Sequence, residues 1–204
     1  GEQHWGSLTQ GPIIAPASGS STSVNTIAVN YSKISGLGST RGFHANLNLA
    51  SNVLIEKCWA QAQDSVCFKV HSEVSSVSSS GNVIKNCLAI GSAGHDIGFE
   101  IGGENMLGGK HGIKCYNNTS YAHRNAGFRF HNTVLPGFGG GANIRIHNCI
   151  SLASQGKDYI WNLYPSGVAK ITSSHNLSSD GSSYENNFST LSITTPKRTF
   201  SSPH

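Results

Sequence analysis

The chain has 204 residues, a formal net charge of +4 and a charged fraction of 12%. That length lets one domain bury its own core, while the scarcity of Glu, Lys and Arg excludes a surface of amphipathic helices and points to strands and turns built from Ser, Asn, Gly and Thr. The basic residues are scattered rather than gathered into a stripe with interleaved aromatics, which argues against a nucleic-acid partner, and no apolar run approaches the ~20 residues that span a bilayer.

Residues 1–25 begin Gly1-Glu2-Gln3-His4-Trp5, which reads as a mature or trimmed end rather than a signal peptide. Pro12, Pro16 and repeated Gly and Ser punctuate this stretch, and Trp5, Ile13 and Ile14 are its large apolar groups. It is expected to form an extended arm that caps or crosses the first coil and serves in assembly. From 26 to 180 the chain repeats. Asn52-Val53-Leu54-Ile55-Glu56-Lys57-Cys58-Trp59-Ala60 is echoed by Asn82-Val83-Ile84-Lys85-Asn86-Cys87-Leu88-Ala89-Ile90, by Cys115-Tyr116-Asn117-Asn118-Thr119-Ser120-Tyr121, and by Ile144-Arg145-Ile146-His147-Asn148-Cys149-Ile150-Ser151-Leu152. The alignment puts Cys58, Cys87, Asn118 and Cys149 in one column at steps of 29, 31 and 31 residues. A second column runs through Gly42-Phe43-His44-Ala45, Cys67-Phe68-Lys69-Val70, Gly98-Phe99-Glu100-Ile101, Gly127-Phe128-Arg129-Phe130 and Ile160-Trp161-Asn162-Leu163. Its members alternate apolar and polar, as in a strand with one buried face. Ser72–Ser80, Gly102–Lys110 and Thr133–Gly141 follow that column as Ser- or Gly-rich loops leaving one side of the molecule. The stretch 181–204 is expected to be a tail packed on the last coil.

Two columns in phase, each unit too short to bury its own apolar face, predict an all-β fold: a single-stranded right-handed parallel β-helix of about six coils. Stacked coils place like residues over like at the ~4.8 Å strand spacing. Phe43, Phe68, Phe99, Phe128 and Trp161 should then form an inward aromatic stack, with the Cys/Asn column beside a turn.

The run Asn86-Cys87-Leu88-Ala89 followed by Ile97-Gly98-Phe99-Glu100-Ile101-Gly102-Gly103 resembles the coils of family 9 polysaccharide lyases, the pectate-lyase-L type. So does Tyr116-Asn117-Asn118-Thr119-Ser120-Tyr121 with Ala126-Gly127-Phe128, and so does Phe188-Ser189 with Pro196-Lys197-Arg198; the likeness covers roughly 50–200. The resemblance implies calcium held by clustered aspartates, which acidifies the proton to be removed, and a lysine base on a Gly-Phe-Lys strand. Here Glu100 stands at the lysine's place, Lys69 stands where an acid of the cluster belongs, and Asp64 and Asp96 are the aspartates nearby, so neither feature is matched.

The column His44, Lys69, Glu100, Arg129 and Asn162 faces outward. It reads either as a polar ladder that binds carbohydrate or as a salt-bridged surface with Glu100 between Lys69 and Arg129. His71, His95, His111, His123, His131 and His147 read as turn and surface residues rather than metal ligands. The odd number of cysteines (Cys58, Cys67, Cys87, Cys115 and Cys149) excludes a fully paired framework, leaving buried thiols or one disulfide, for which Cys58 and Cys87 on adjacent coils are near enough. Sequons at Asn30, Asn117, Asn118, Asn176 and Asn187 permit glycosylation.

Function divides into two classes. The first is an extracellular structural subunit that self-assembles into a filament or surface layer and needs no cofactor, since the open ends of a β-helix invite strand addition. The alternative is a lyase-like or carbohydrate-binding protein for acidic polysaccharide, with calcium only in that case.

Overall fold

The computed structural model of the chain describes residues 13–14, 24–30, 33–35, 41–47, 50–61, 66–73, 78–91, 96–106, 110–134, 141–163 and 170–183. Trp5 and Asn187 lie outside these residues, and for Ile13, Ile14, Asn30, His44 and Asn162 the description extends to backbone register alone.

Every element among the described residues is a strand, and the strands form three six-stranded sheets. Sheet A orders Ile13–Ile14, Arg41–Asn46, Val66–Glu73, Ile97–Met106, Ala126–Val134 and Lys157–Leu163. Sheet B orders Val24–Asn30, Ala50–Glu56, Ser79–Lys85, Lys110–Tyr116, Gly141–His147 and Lys170–Ser174. Sheet C orders the short strands Lys33–Ser35, Trp59–Gln61, Leu88–Ile90, Thr119–Tyr121, Ile150–Leu152 and Leu177–Ser178. Neighbouring strands pair in parallel throughout. The chain visits A, B and C in turn and returns to A one strand further along. Such circuits are compatible with a parallel β-helix and bury one shared core.

The core matches large groups on one wall with small ones on another. Sheet A contributes Phe43, Phe68, Phe99, Phe128 and Tyr159, stacked ring on ring at 5.0, 4.8, 4.7 and 5.1 Å. Sheet C contributes Ala60, Ala89, Ser120 and Ser151, and sheet B contributes Ile55, Ile84, Ile113 and Ile146. Each stacked pair adds about 0.5–1.5 kcal/mol beyond its buried area.

The bend from sheet B to sheet C explains the paired motif at each repeat. Lys57, Asn86, Asn117, Asn148 and His175 take φ of 53–58° there: 53, 55, 53, 53 and 58°. This left-handed conformation costs Asn little. The next residue turns inward, giving the column Cys58, Cys87, Asn118, Cys149 and Asn176. Asn118 accepts from Cys87 N at 2.9 Å and donates to Ile84 O at 2.9 Å. Asn176 repeats this with Cys149 N at 2.9 Å and Ile146 O at 3.2 Å.

Two expectations are corrected. The aromatic column ends on Tyr159, not Trp161: Tyr159 registers with Phe128, and Trp161 with Phe130, on which it stacks at 4.6 Å. A slip of two residues keeps every side chain on its face, so alternation alone could not detect it. The segments read as loops are partly strand, because sheet A runs on through Glu73, Met106 and Val134. At the other end, Ile13 and Ile14 pair with His44 and Ala45 as a strand of sheet A, and Val24 already belongs to sheet B, so the sheets reach into the stretch assigned to the arm.

Candidate functional site

In the middle of sheet A the alternation is Phe68-Lys69-Val70-His71, Phe99-Glu100-Ile101-Gly102 and Phe128-Arg129-Phe130-His131. The first and third of each group enter the core; the second and fourth take the opposite face. Register sets Lys69, Glu100 and Arg129 in one row, and His71, Gly102 and His131 in the next. This outer face is nonetheless withdrawn from water: Lys69 is 5% exposed, Glu100 8%, His71 2% and His131 5%.

Gly102 is what allows the two rows to converge. Its φ is +127°, and a Cβ there would lie 1.9 Å from the His131 carbonyl oxygen, so only glycine fits between the two strands that carry the histidines, and it leaves a gap on the outer face. Into that gap leans the Glu100 carboxylate. Its Oε1 is 3.3 Å from His131 Nε2 and 3.9 Å from Lys69 Nζ. The rings of His71 and His131 stand edge to face at 5.4 Å and 81°. Burial raises the Glu100 pKa, but His131, Lys69 and His71 together outweigh it and hold the carboxyl down at about 2, so it is anionic at any ordinary pH. Arg129 is half-buried, and its Nε is shielded from water with no hydrogen-bond partner among the described residues.

Of the expected ladder, Lys69, Glu100 and Arg129 lie in one row, and His44 registers with Lys69. Asn162 does not continue it. Ile160 stands opposite Arg129, and Asn162 registers with His131, in the histidine row, for the two-residue reason that displaced Trp161. Among the described residues, Glu100 pairs with Lys69 and His131, and no ion pair joins it to Arg129. The histidines depart furthest from expectation: His71, His111, His123 and His131 are all buried. The signal was present in the sequence as Phe-Lys-Val-His and Phe-Arg-Phe-His, three residues past equivalent phenylalanines, with Gly102 between them.

His71, Glu100 and His131 also have the chemistry to hold a metal: one ligand atom from each lies within 4.8 Å of the others. Two imidazoles and one carboxylate suit a first-row transition ion and not calcium, which takes six to eight oxygens. Asp96, the described aspartate nearest in sequence, is fully buried and committed to a turn, accepting from Arg124 N at 2.5 Å and lying 3.3 Å from His123 Nδ1. Asp64 lies outside the described residues.

Sheet C turns a different face outward. Its inward positions are Ala60, Ala89, Ser120 and Ser151. The flanking outward positions carry Trp59, Leu88, Thr119, Ile150 and Leu177 in one row, all half-buried, and Gln61, Ile90, Tyr121 and Leu152 in the other. Tyr121 is 51% exposed.

The remaining candidates separate on burial. All five cysteines are buried free thiols. Cys115 and Cys149 lie 3.8 Å apart; burial first, and Cys149 second, push the Cys115 thiol well up in pKa, and a hydrogen bond with Cys58 does the same for Cys87. These are the small core residues of the first reading rather than a Cys58–Cys87 bridge. Asn118 and Asn176 are fully buried with their amides engaged, which leaves no room for a glycan in the folded chain. Asn117, at the left-handed bend, is exposed.

No protein-family model, curated protein or solved structure matches the chain.

Proposed function

We propose that the chain is a right-handed parallel β-helix of six coils that works outside the cell as a structural subunit, associating with copies of itself through the outward face of sheet C. Three six-stranded sheets visited in turn support the coil count. The observation that carries the self-association is the apolar character of that face, where Trp59, Leu88, Ile90, Ile150 and Leu152 share two outward rows with the exposed Tyr121. Apolar side chains gathered in two adjacent rows, interrupted only by Thr119 and ended by Gln61, mark a contact surface, whereas scattered ones do not. An extracellular setting is supported by the uncharged Ser, Asn and Gly surface and by the exposed sequon at Asn117. The test is sedimentation and negative-stain microscopy of the full chain over a concentration series, beside Leu88→Lys and Ile150→Lys. Assembly by the wild type, lost in both variants while circular dichroism is unchanged, is the expected result. A wild type that stays monomeric at every concentration sinks the reading.

A second reading is favoured by the buried Nε of Arg129, which has no hydrogen-bond partner among the described residues and lies in a row with Lys69. Two cations on either side of one carboxylate leave this row of sheet A net positive, which suits the carboxylates of an acidic polysaccharide. Binding there resembles that of polysaccharide lyases in place only, because their lysine and aspartates are unmatched and the donors present do not suit calcium. Lys69→Ala and Arg129→Ala are expected to abolish retention on an acidic-polysaccharide column without changing assembly; retention unchanged in both counts against this reading.

A further inference from the structure

We infer that His71, Glu100 and His131 form a binding site for one first-row divalent metal ion of the zinc, cobalt or iron(II) type. The inference stands independently of both functional readings, since it rests on three side chains and not on what the molecule assembles with or binds.

The geometry begins with the sheet. Parallel register brings His71 and His131 to either side of Gly102, and Glu100 reaches them from the middle strand, two residues earlier on the same face. Three ligands therefore come from three successive strands of one sheet, with buried Val70, Phe99 and Phe130 as the inward residues just before them. Metal–nitrogen and metal–oxygen bonds of about 2.0–2.2 Å place neighbouring ligand atoms of a tetrahedral site about 3.3 Å apart. Glu100 Oε1 and His131 Nε2 already stand at 3.3 Å. All three ligand atoms lie within 4.8 Å of one another, so closing the site to that spacing takes a side-chain adjustment of at most about 1.5 Å.

The chemistry of the donors points the same way. Two neutral imidazoles and one carboxylate are the set used by catalytic zinc and by open-sided iron(II) sites. Three protein ligands leave a fourth position for water or for an anionic group. Burial matters too: an anionic carboxylate so far from water is costly to keep without strong compensation. Its present neighbours, at 3.3 and 3.9 Å, are longer than the ~2.8 Å of a charge-assisted hydrogen bond. A divalent cation between Glu100 and the histidines compensates that charge at bonding distance. Lys69 is the group that competes for the same oxygen, and its ammonium must weaken metal binding.

The experiment is titration of the chelator-treated full chain with Co²⁺, followed by visible d–d absorption, and with Zn²⁺, followed by calorimetry. The expected result is one equivalent of either ion per chain with a four- or five-coordinate Co²⁺ spectrum. His71→Gln, His131→Gln and Glu100→Gln should each weaken binding by about 100-fold or more. His147→Gln, on sheet B, should leave it unchanged, and Lys69→Met should tighten it by about tenfold. The wild-type titration guards against variants that fail to fold. Absence of saturable one-equivalent binding by the wild type overturns the inference, as does undiminished binding in Glu100→Gln and both histidine variants, or weaker binding in Lys69→Met.

Discussion

The outward faces of sheets A and C are built on the same repeat and face the same kind of core, yet they carry opposite chemistry. Sheet A hides its ionisable groups: Lys69, Glu100, His71 and His131 are nearly out of water on the face away from the core. Sheet C does the reverse, turning Trp59, Leu88, Ile150 and the exposed Tyr121 outward. The difference follows from strand length and inward residue size. Sheet A strands run to 10 residues and anchor their face on a stack of aromatic rings, so polar groups in successive rows can be held against one another. Sheet C strands among the repeats run to 3 residues with one small inward side chain each, which leaves little besides the outward pair to be shaped by selection. A solenoid can thus keep one wall for chemistry and another for contact without changing its repeat.

The largest effect is expected beneath sheet A. Phe99→Ala removes the middle ring of the stack and should destabilise the chain by about 3–5 kcal/mol in a denaturant titration; a loss below 1 kcal/mol would mean that the aromatic wall does not anchor the face above it. Next, Glu100→Gln leaves Lys69 buried beside a neutral group and should cost about 3 kcal/mol by the same measurement. A surface-like value would erase the contrast between the faces.

Acid provides a test within the core itself. His111, inward on sheet B between Ser79 and Ala142, is fully buried, and neither ring nitrogen has a hydrogen-bond partner among the described residues. Burial lowers its pKa from 6.5 to about 4. The unfolded chain therefore binds a proton that the folded chain refuses in that window, so the His111 contribution is complete above about pH 6.5 and is lost as pH falls towards 4, by about 3 kcal/mol. His111→Phe should flatten the slope of stability against pH; an unchanged slope assigns it elsewhere. The smallest effect is expected on sheet C, where Tyr121→Ser should change monomer stability by no more than about 0.5 kcal/mol while reducing self-association in sedimentation.

Much of the architecture was legible because β-stacking repeats its residues. Phe43, Phe68, Phe99 and Phe128 align in the sequence and stack in the fold, and Cys58, Cys87, Asn118 and Cys149 mark the bend. Legibility failed where the physics has a period of two. Trp161 and Tyr159 face the same way, so pattern could not choose between them, and Asn162 was displaced with them. The histidine pair was missed for another reason: each histidine taken singly looks like a turn residue, and only the register through Gly102 brings His71 and His131 together. The apolar face of sheet C was hidden by brevity, since three-residue strands carry too little alternation to declare a side.

The buried asparagines also bear on how the molecule would behave under load. Asn118 ties its circuit to that of Cys87, gripping Cys87 N and Ile84 O, and Asn176 ties its circuit to that of Cys149 through Cys149 N and Ile146 O. Between the circuits of Asn118 and Cys149 no buried asparagine reaches across among the described residues; the backbone ladder is joined there by two thiols 3.8 Å apart. Stretched along its axis, the rod would carry its load at that joint through the paired strands of the three sheets, whereas on either side of it a buried amide shares the load, so successive circuits are held by two kinds of fastening.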